Sequence, residues 1–102
     1  MATLIRKEIL IMTITTLSAI PYGNAKVLLM EDGRVILRSY QTDVAVIRAD
    51  GFLIINGLYS ATTRRHIGAF VKEYANINYQ IAKRLYGDGY IYNIHTGELL
   101  PL

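Results

Sequence analysis

Residues 25–40 run Ala-Lys-Val-Leu-Leu-Met-Glu-Asp-Gly-Arg-Val-Ile-Leu-Arg-Ser-Tyr: two apolar stretches, 25–30 and 34–40, either side of Glu31-Asp32-Gly33. Asp-Gly between two such runs is a strong hairpin signal, because glycine supplies the left-handed turn conformation without steric cost. The same design recurs downstream, where 43–48 and 52–56 flank Asp50-Gly51. Upstream, residues 8–17 are rich in Ile and Thr, which suit a pleated surface. Pro21-Tyr22-Gly23-Asn24 is turn chemistry. Short turns between five such runs predict an antiparallel meander.

The periodicity changes at Ser60. Ile67, Phe70, Val71 and Tyr74 follow the i, i+3, i+4, i+7 spacing of a helix stripe. Ser60, Thr62 and Thr63 are all suited to cap its start. Asn76 is expected to cap a second helix bearing Ile77, Ile81 and Leu85, which Gly87-Asp88-Gly89 ends. Residues 90–94 alternate as a last short strand, and His95-Thr96-Gly97 turns the chain. The expected fold is α+β: a meander of about five strands, two consecutive helices and a short C-terminal strand, all in one domain, 1–102.

Composition narrows the function classes. At 52% hydrophobic residues the 102-residue chain has enough apolar material for a core, with a surplus that suits a subunit interface. With no cysteine, disulfides, thiolate metal sites and cysteine nucleophiles are excluded, and a cytoplasmic setting fits. A net charge of +3 permits an anionic partner without demanding one. Arg6 and Lys7 before Ile9-Leu10-Ile11-Met12 resemble the start of a signal peptide, but threonines interrupt the run and Pro21 follows without a small-x-small site. A strand that joins the sheet is the better reading, and the stretch is too short and polar to span a bilayer. Met12 also offers an alternative start.

The segment Tyr59-Ser60-Ala61-Thr62-Thr63-Arg64-Arg65-His66-Ile67 gathers hydroxyls, two arginines and a histidine at a helix entry. Free N–H groups and the positive dipole end favour an anion there. Arginine binds phosphate through paired hydrogen bonds. Tyr59, Ser60, Thr62, Thr63, Arg64, Arg65 and His66 are therefore the candidate ligand-binding set. The competing structural reading makes one hydroxyl a cap, pairs the arginines with Asp43 or Glu73, and buries His66 as a satisfied core group. Arg34, Arg38 and Tyr40 share one strand face by period two and form a secondary basic face. Tyr86, Tyr90 and Tyr92 near the C-terminus suit an interface or a half-buried core.

No Gly-rich phosphate loop or G-x-S-x-G elbow occurs, and two histidines without an acid cluster make a poor metal site. No cofactor is expected. His66 and His95 would act as an acid–base pair on a phosphodiester only if the fold brought them together.

Ser39-Tyr40-Gln41-Thr42-Asp43-Val44-Ala45, followed after a hairpin by Tyr59 to Ile67, resembles a family of small uncharacterised proteins of phages, prophages and plasmids. Its pattern is S-Y-x-T-x-V-A and then Y-S-x-T-T-x-R-H-I. The resemblance covers about residues 39–74 and brings no secure activity with it. It implies a small binding protein of a mobile element, acting in the host cytoplasm. The expected function is then non-enzymatic inhibition of a host defence system through an anionic ligand, either a signalling nucleotide or a nucleic-acid-handling defence protein. A phosphodiesterase using His66 and His95, and a nucleic-acid-binding accessory protein, are the alternatives. A homo-oligomer is expected.

Overall fold

The computed structural model describes residues 12–102. The start of the expected 8–17 strand, with Arg6, Lys7 and Ile9-Leu10-Ile11, lies outside the described residues. From there the chain forms β1 (Met12–Thr15), β2 (Ala25–Met30), β3 (Val35–Ser39), β4 (Thr42–Ile47) and β5 (Phe52–Ile55). The helices α1 (Ala61–Ala75) and α2 (Tyr79–Asp88) follow, then β6 (Tyr90–Asn93) and β7 (Leu99–Pro101). All seven strands belong to one sheet in sequence order, each antiparallel to the next. This is the expected α+β meander, with β7 as an addition that the three residues Leu-Leu-Pro did not announce.

Both Asp-Gly turns close as their sequences dictate. Gly33 and Gly51 take φ +96° and +95°, and their N–H groups donate to Met30 and Arg48 carbonyls at 3.0 and 2.9 Å. The β3–β4 turn has no glycine, so Tyr40 adopts the left-handed conformation instead, at φ +58°. Between these ends the β3–β4 register slips by one residue at Leu37/Arg38. The bulge buries the consecutive residues Val44 and Ala45 in the same core and sets Arg38 opposite Asp43.

Both helices pack on one face of the sheet. Ser60 caps α1, its Oγ accepting from Thr63 N at 3.2 Å. The buried stripe of α1 is Thr63, His66, Ile67, Phe70, Val71 and Ala75, the expected periodicity. It meets Val27, Leu37, Ala45, Ile47, Leu53 and Ile55 from the strands, together with Leu17. Asn76 departs from its expected role. It ends α1 in the left-handed conformation at φ +56°, and Asn78 caps α2 by accepting from Ile81 N at 3.0 Å. Asn tolerates left-handed backbone well enough to stop one helix, so the next cap falls two residues later. Gly89, also left-handed at φ +75°, ends α2 as expected.

Candidate functional site

The helix entry divides the expected ligand set into an inward half and an outward half. Inward, Thr63 and His66 are one turn apart on the buried face of α1 and meet Ser39 at the end of β3. Ser39 Oγ lies 2.8 Å from His66 Nδ1 and 3.0 Å from Thr63 Oγ1. Ser60 Oγ donates to Thr63 Oγ1 at 3.2 Å. One relay satisfies the cluster: Ser60 donates to Thr63, Thr63 to Ser39, and Ser39 to the unprotonated Nδ1 of a neutral imidazole. Burial depresses the His66 pKa below its ordinary value, and the neighbouring Arg65 charge lowers it further, which keeps the ring neutral. Among the described residues no buried side-chain nitrogen or oxygen is left without a partner.

Outward, Arg64 and Arg65 leave the relay and enter a groove of about 750 Å³ along the exposed side of α1. Ala61, Gly68, Ala69 and Lys72 continue its helical wall, while Ile20 and Tyr22 close it from the adjoining loop and Tyr79 from the start of α2. Gly68 makes the crossing tight, since a Cβ there would stand 3.3 Å from Tyr79 Cβ. Among the described residues no carboxylate lines the groove.

The carboxylates that were the arginines' expected partners are engaged elsewhere. Asp43 accepts from Arg38 Nε at 2.6 Å, and Glu73 accepts from Ser18 N and Oγ at 2.8 and 3.0 Å. Among the described residues the ion pairs are Arg34–Asp32, Arg38–Asp43 and Arg48–Asp50. Each strand-side arginine thus carries its own aspartate, whereas Arg64, Arg65 and Lys72 carry no carboxylate partner among the described residues.

Of the expected secondary face of Arg34, Arg38 and Tyr40, both arginines carry a compensating aspartate. Arg34 belongs to the turn before β3 and Arg38 is compensated across the bulge. Tyr40 sits in the following turn, its ring 6.2 Å from that of His66. Tyr59, a second left-handed tyrosine at φ +49°, is exposed and lies over Gly57, where a Cβ would meet its ring at 2.5 Å. Thr62 is half-buried beside the cap.

The two histidines remain apart. His66 is tied to Ser39 beside the β3–β4 turn, while His95 lies over Gly51 in the β4–β5 turn. The β4 strand runs between those turns, a rise of roughly 20 Å for its length. Asn93 fixes the His95 turn, accepting from His95 N and Thr96 N and donating to the Asp50 carbonyl. No group of three or more potential metal ligands occurs among the described residues. None of the described helices is long and apolar enough to cross a membrane.

Lys72, Tyr22 and Tyr79 were missed in the sequence. Lys72 was findable, since Arg65, Gly68, Ala69 and Lys72 fall on one face at i, i+3, i+4 and i+7. The two tyrosines carry no local signal, because the tertiary fold alone brings the Tyr22 loop and the start of α2 to α1.

No curated protein and no solved structure matches the chain. A family model does, over residues 10–89, and its description carries no phage, prophage or plasmid origin. That span takes in both halves of the divided helix entry and most of the sheet, and by it the chain belongs to the family of unknown function DUF8033.

Proposed function

We propose that this chain is a non-enzymatic binding protein whose α1 groove takes an anionic ligand, a signalling nucleotide above all. The observation that carries this reading is the sorting of charge. Three cations, Arg64, Arg65 and Lys72, share a concave surface that no carboxylate of the described residues lines, while the arginines of the strands and turns are each compensated by an aspartate. Placing like charges side by side costs stability unless an anion arrives to offset it. Arginine recognises phosphate in two-point geometry, and Tyr22 and Tyr79 offer faces on which a base can stack. The groove volume of about 750 Å³ falls in the range of small-molecule sites.

A non-enzymatic role agrees with the burial of the hydroxyl–imidazole pair. Ser39 is 2% exposed, so its hydroxyl does not meet a substrate as a nucleophile would. The phage-type, anti-defence context rests on the pattern resemblance of residues 39–74, and sequestration of a host signalling nucleotide is the form of it that suits a groove.

Mass spectrometry of material released from heat-denatured protein tests the reading. A phosphorylated nucleotide is expected from the parent and is lost from the R64A/R65A protein. A stable complex with a host protein, with no nucleotide released from repeated preparations, replaces the nucleotide by an acidic protein surface.

A further inference from the structure

Two helices do not cover seven strands. Six inter-strand spacings of about 4.8 Å make a sheet roughly 29 Å wide, and two helices about 10 Å apart cover roughly 20 Å of it. On the β1–β2 side the loop bearing Leu17 and Ile20 fills the remainder. On the other side no described residue does. The helix α2 packs over β5 and β6, and every residue of β7 is exposed. The uncovered strip is a cleft of about 480 Å³, floored by Tyr90, Tyr92 and Leu99 and walled by Ile81 and Leu85. Three of the large hydrophobic side chains exposed among the described residues line it, with Ile81 42%, Tyr90 42% and Leu99 53% exposed.

Arg84 and Asp88 stand on the rim of this cleft, four residues apart on α2. They form no ion pair with each other or with any other described residue. Asp88 is also the last residue of α2, at the negative end of the helix dipole, where a cation is favoured and a carboxylate is not. A neighbour that supplies an apolar ridge, a cation for Asp88 and an anion for Arg84 would fit. An antiparallel copy of α2 supplies all three.

We propose that the cleft is a homodimer interface in which the α2 helices of two copies pack antiparallel across a twofold axis. In that arrangement the exposed Ile81 of each copy continues the helix layer over the other's β6–β7 strip. Arg84 reaches the partner copy's Asp88, and the twofold repeats the contact in reverse, as an isologous interface requires. The inference is independent of the α1 groove, which meets α2 only at its first residue, Tyr79.

Sedimentation equilibrium on the full chain tests it. The parent is expected to dimerise at micromolar concentration. I81E is expected to be monomeric while keeping the cooperative thermal unfolding of the parent, because position 81 is exposed and an acid suits a helix start. R84D sets acid against acid and is expected to weaken the dimer at least about tenfold. The exchanged R84D/D88R protein is expected to recover it. A parent that stays monomeric overturns the proposal. So does an R84D protein that dimerises like the parent, or an R84D/D88R protein no stronger than R84D.

Discussion

Ser39 Oγ and His66 Nδ1 lie 2.8 Å apart, joining the end of β3 to the middle of the first buried turn of α1. Both side chains are almost wholly inaccessible, at 2% and 3% exposure. The contact is the hub of a buried polar relay through Thr63 to the Ser60 cap. It shares the buried face of α1 with Ile67, Phe70 and Val71, and that helical phase leaves Arg64 and Arg65 outward in the groove.

Removing the hub should therefore cost stability. Ser39→Ala strands His66 Nδ1 and removes the acceptor of the Thr63 hydroxyl, which keeps only its bond from Ser60. An unsatisfied buried group costs about 1–3 kcal/mol, which sets the scale of the expected loss in urea unfolding. Thr63→Val should lose less, since Ser39 keeps its bond to His66. Equal effects from the two substitutions would contradict the assignment of Ser39 as the hub.

The same relay sets a pH dependence. The His66 pKa is lowered in the folded chain by burial and then by Arg65. The unfolded chain consequently binds the proton more readily, so its contribution is complete above the ordinary histidine pKa of about 6.5. It declines as pH falls through that value toward the lower folded pKa. Unfolding free energy measured between neutral pH and mildly acidic pH should fall for the parent and change less for His66→Gln. A parent stability that rises on acidification in this window has the wrong sign for a buried neutral imidazole.

Two glycines should respond in opposite directions to alanine. Gly51 has φ +95°, and a Cβ there would lie 2.7 Å from His95 Cδ2. Gly87 lies within α2, has no positive φ, and a Cβ there meets nothing within 4 Å. Gly51→Ala should destabilise by about 1 kcal/mol or more through strain and the His95 clash. Gly87→Ala should stabilise by roughly 0.5–1 kcal/mol through helix propensity. Thermal midpoints of the two variants decide it.

Charge sorting predicts which arginines matter for binding. Arg38→Ala breaks a half-exposed ion pair with Asp43 and should leave nucleotide affinity unchanged. Arg64→Ala and Arg65→Ala should each weaken it, and the loss should persist at moderate salt because the contacts are enclosed on one side by the groove. A steep log–log dependence on salt that Arg38→Ala shares would instead indicate an extended nucleic-acid track.

The sheet and the helices were legible because their signals are local. Asp-Gly turns, period-two runs and the Ile67–Phe70–Val71–Tyr74 stripe each depend on a few neighbouring residues. Asn76 was misassigned because the same side chain that caps a helix start also tolerates the conformation that ends one. β7 was missed because Leu-Leu-Pro is too short to alternate, and Pro101 is acceptable on an edge strand only. The helix entry was recognised as chemically unusual, but not that its two halves face opposite ways. That division follows from helical phase: Thr63 and His66 share the face of Phe70, while Arg64 and Arg65 fall beside Gly68 and Lys72. The partners of Asp43 and Glu73 were not readable at all, since the β3–β4 bulge and the Ser18 loop choose them.

Amide chemical-shift mapping tests the central claim most directly. The isotope-labelled chain would be titrated with a linear mononucleotide, a cyclic dinucleotide and inorganic phosphate, alongside the R64A/R65A protein. The account predicts saturable shifts confined to residues 19–22, 61–72 and 78–79, larger for a nucleotide than for phosphate alone, and abolished in the double variant. No saturable shift with any of the three anions would contradict it. Equal shifts in the double variant, or shifts centred on β3 and the Arg34–Asp32 turn, would contradict it as well.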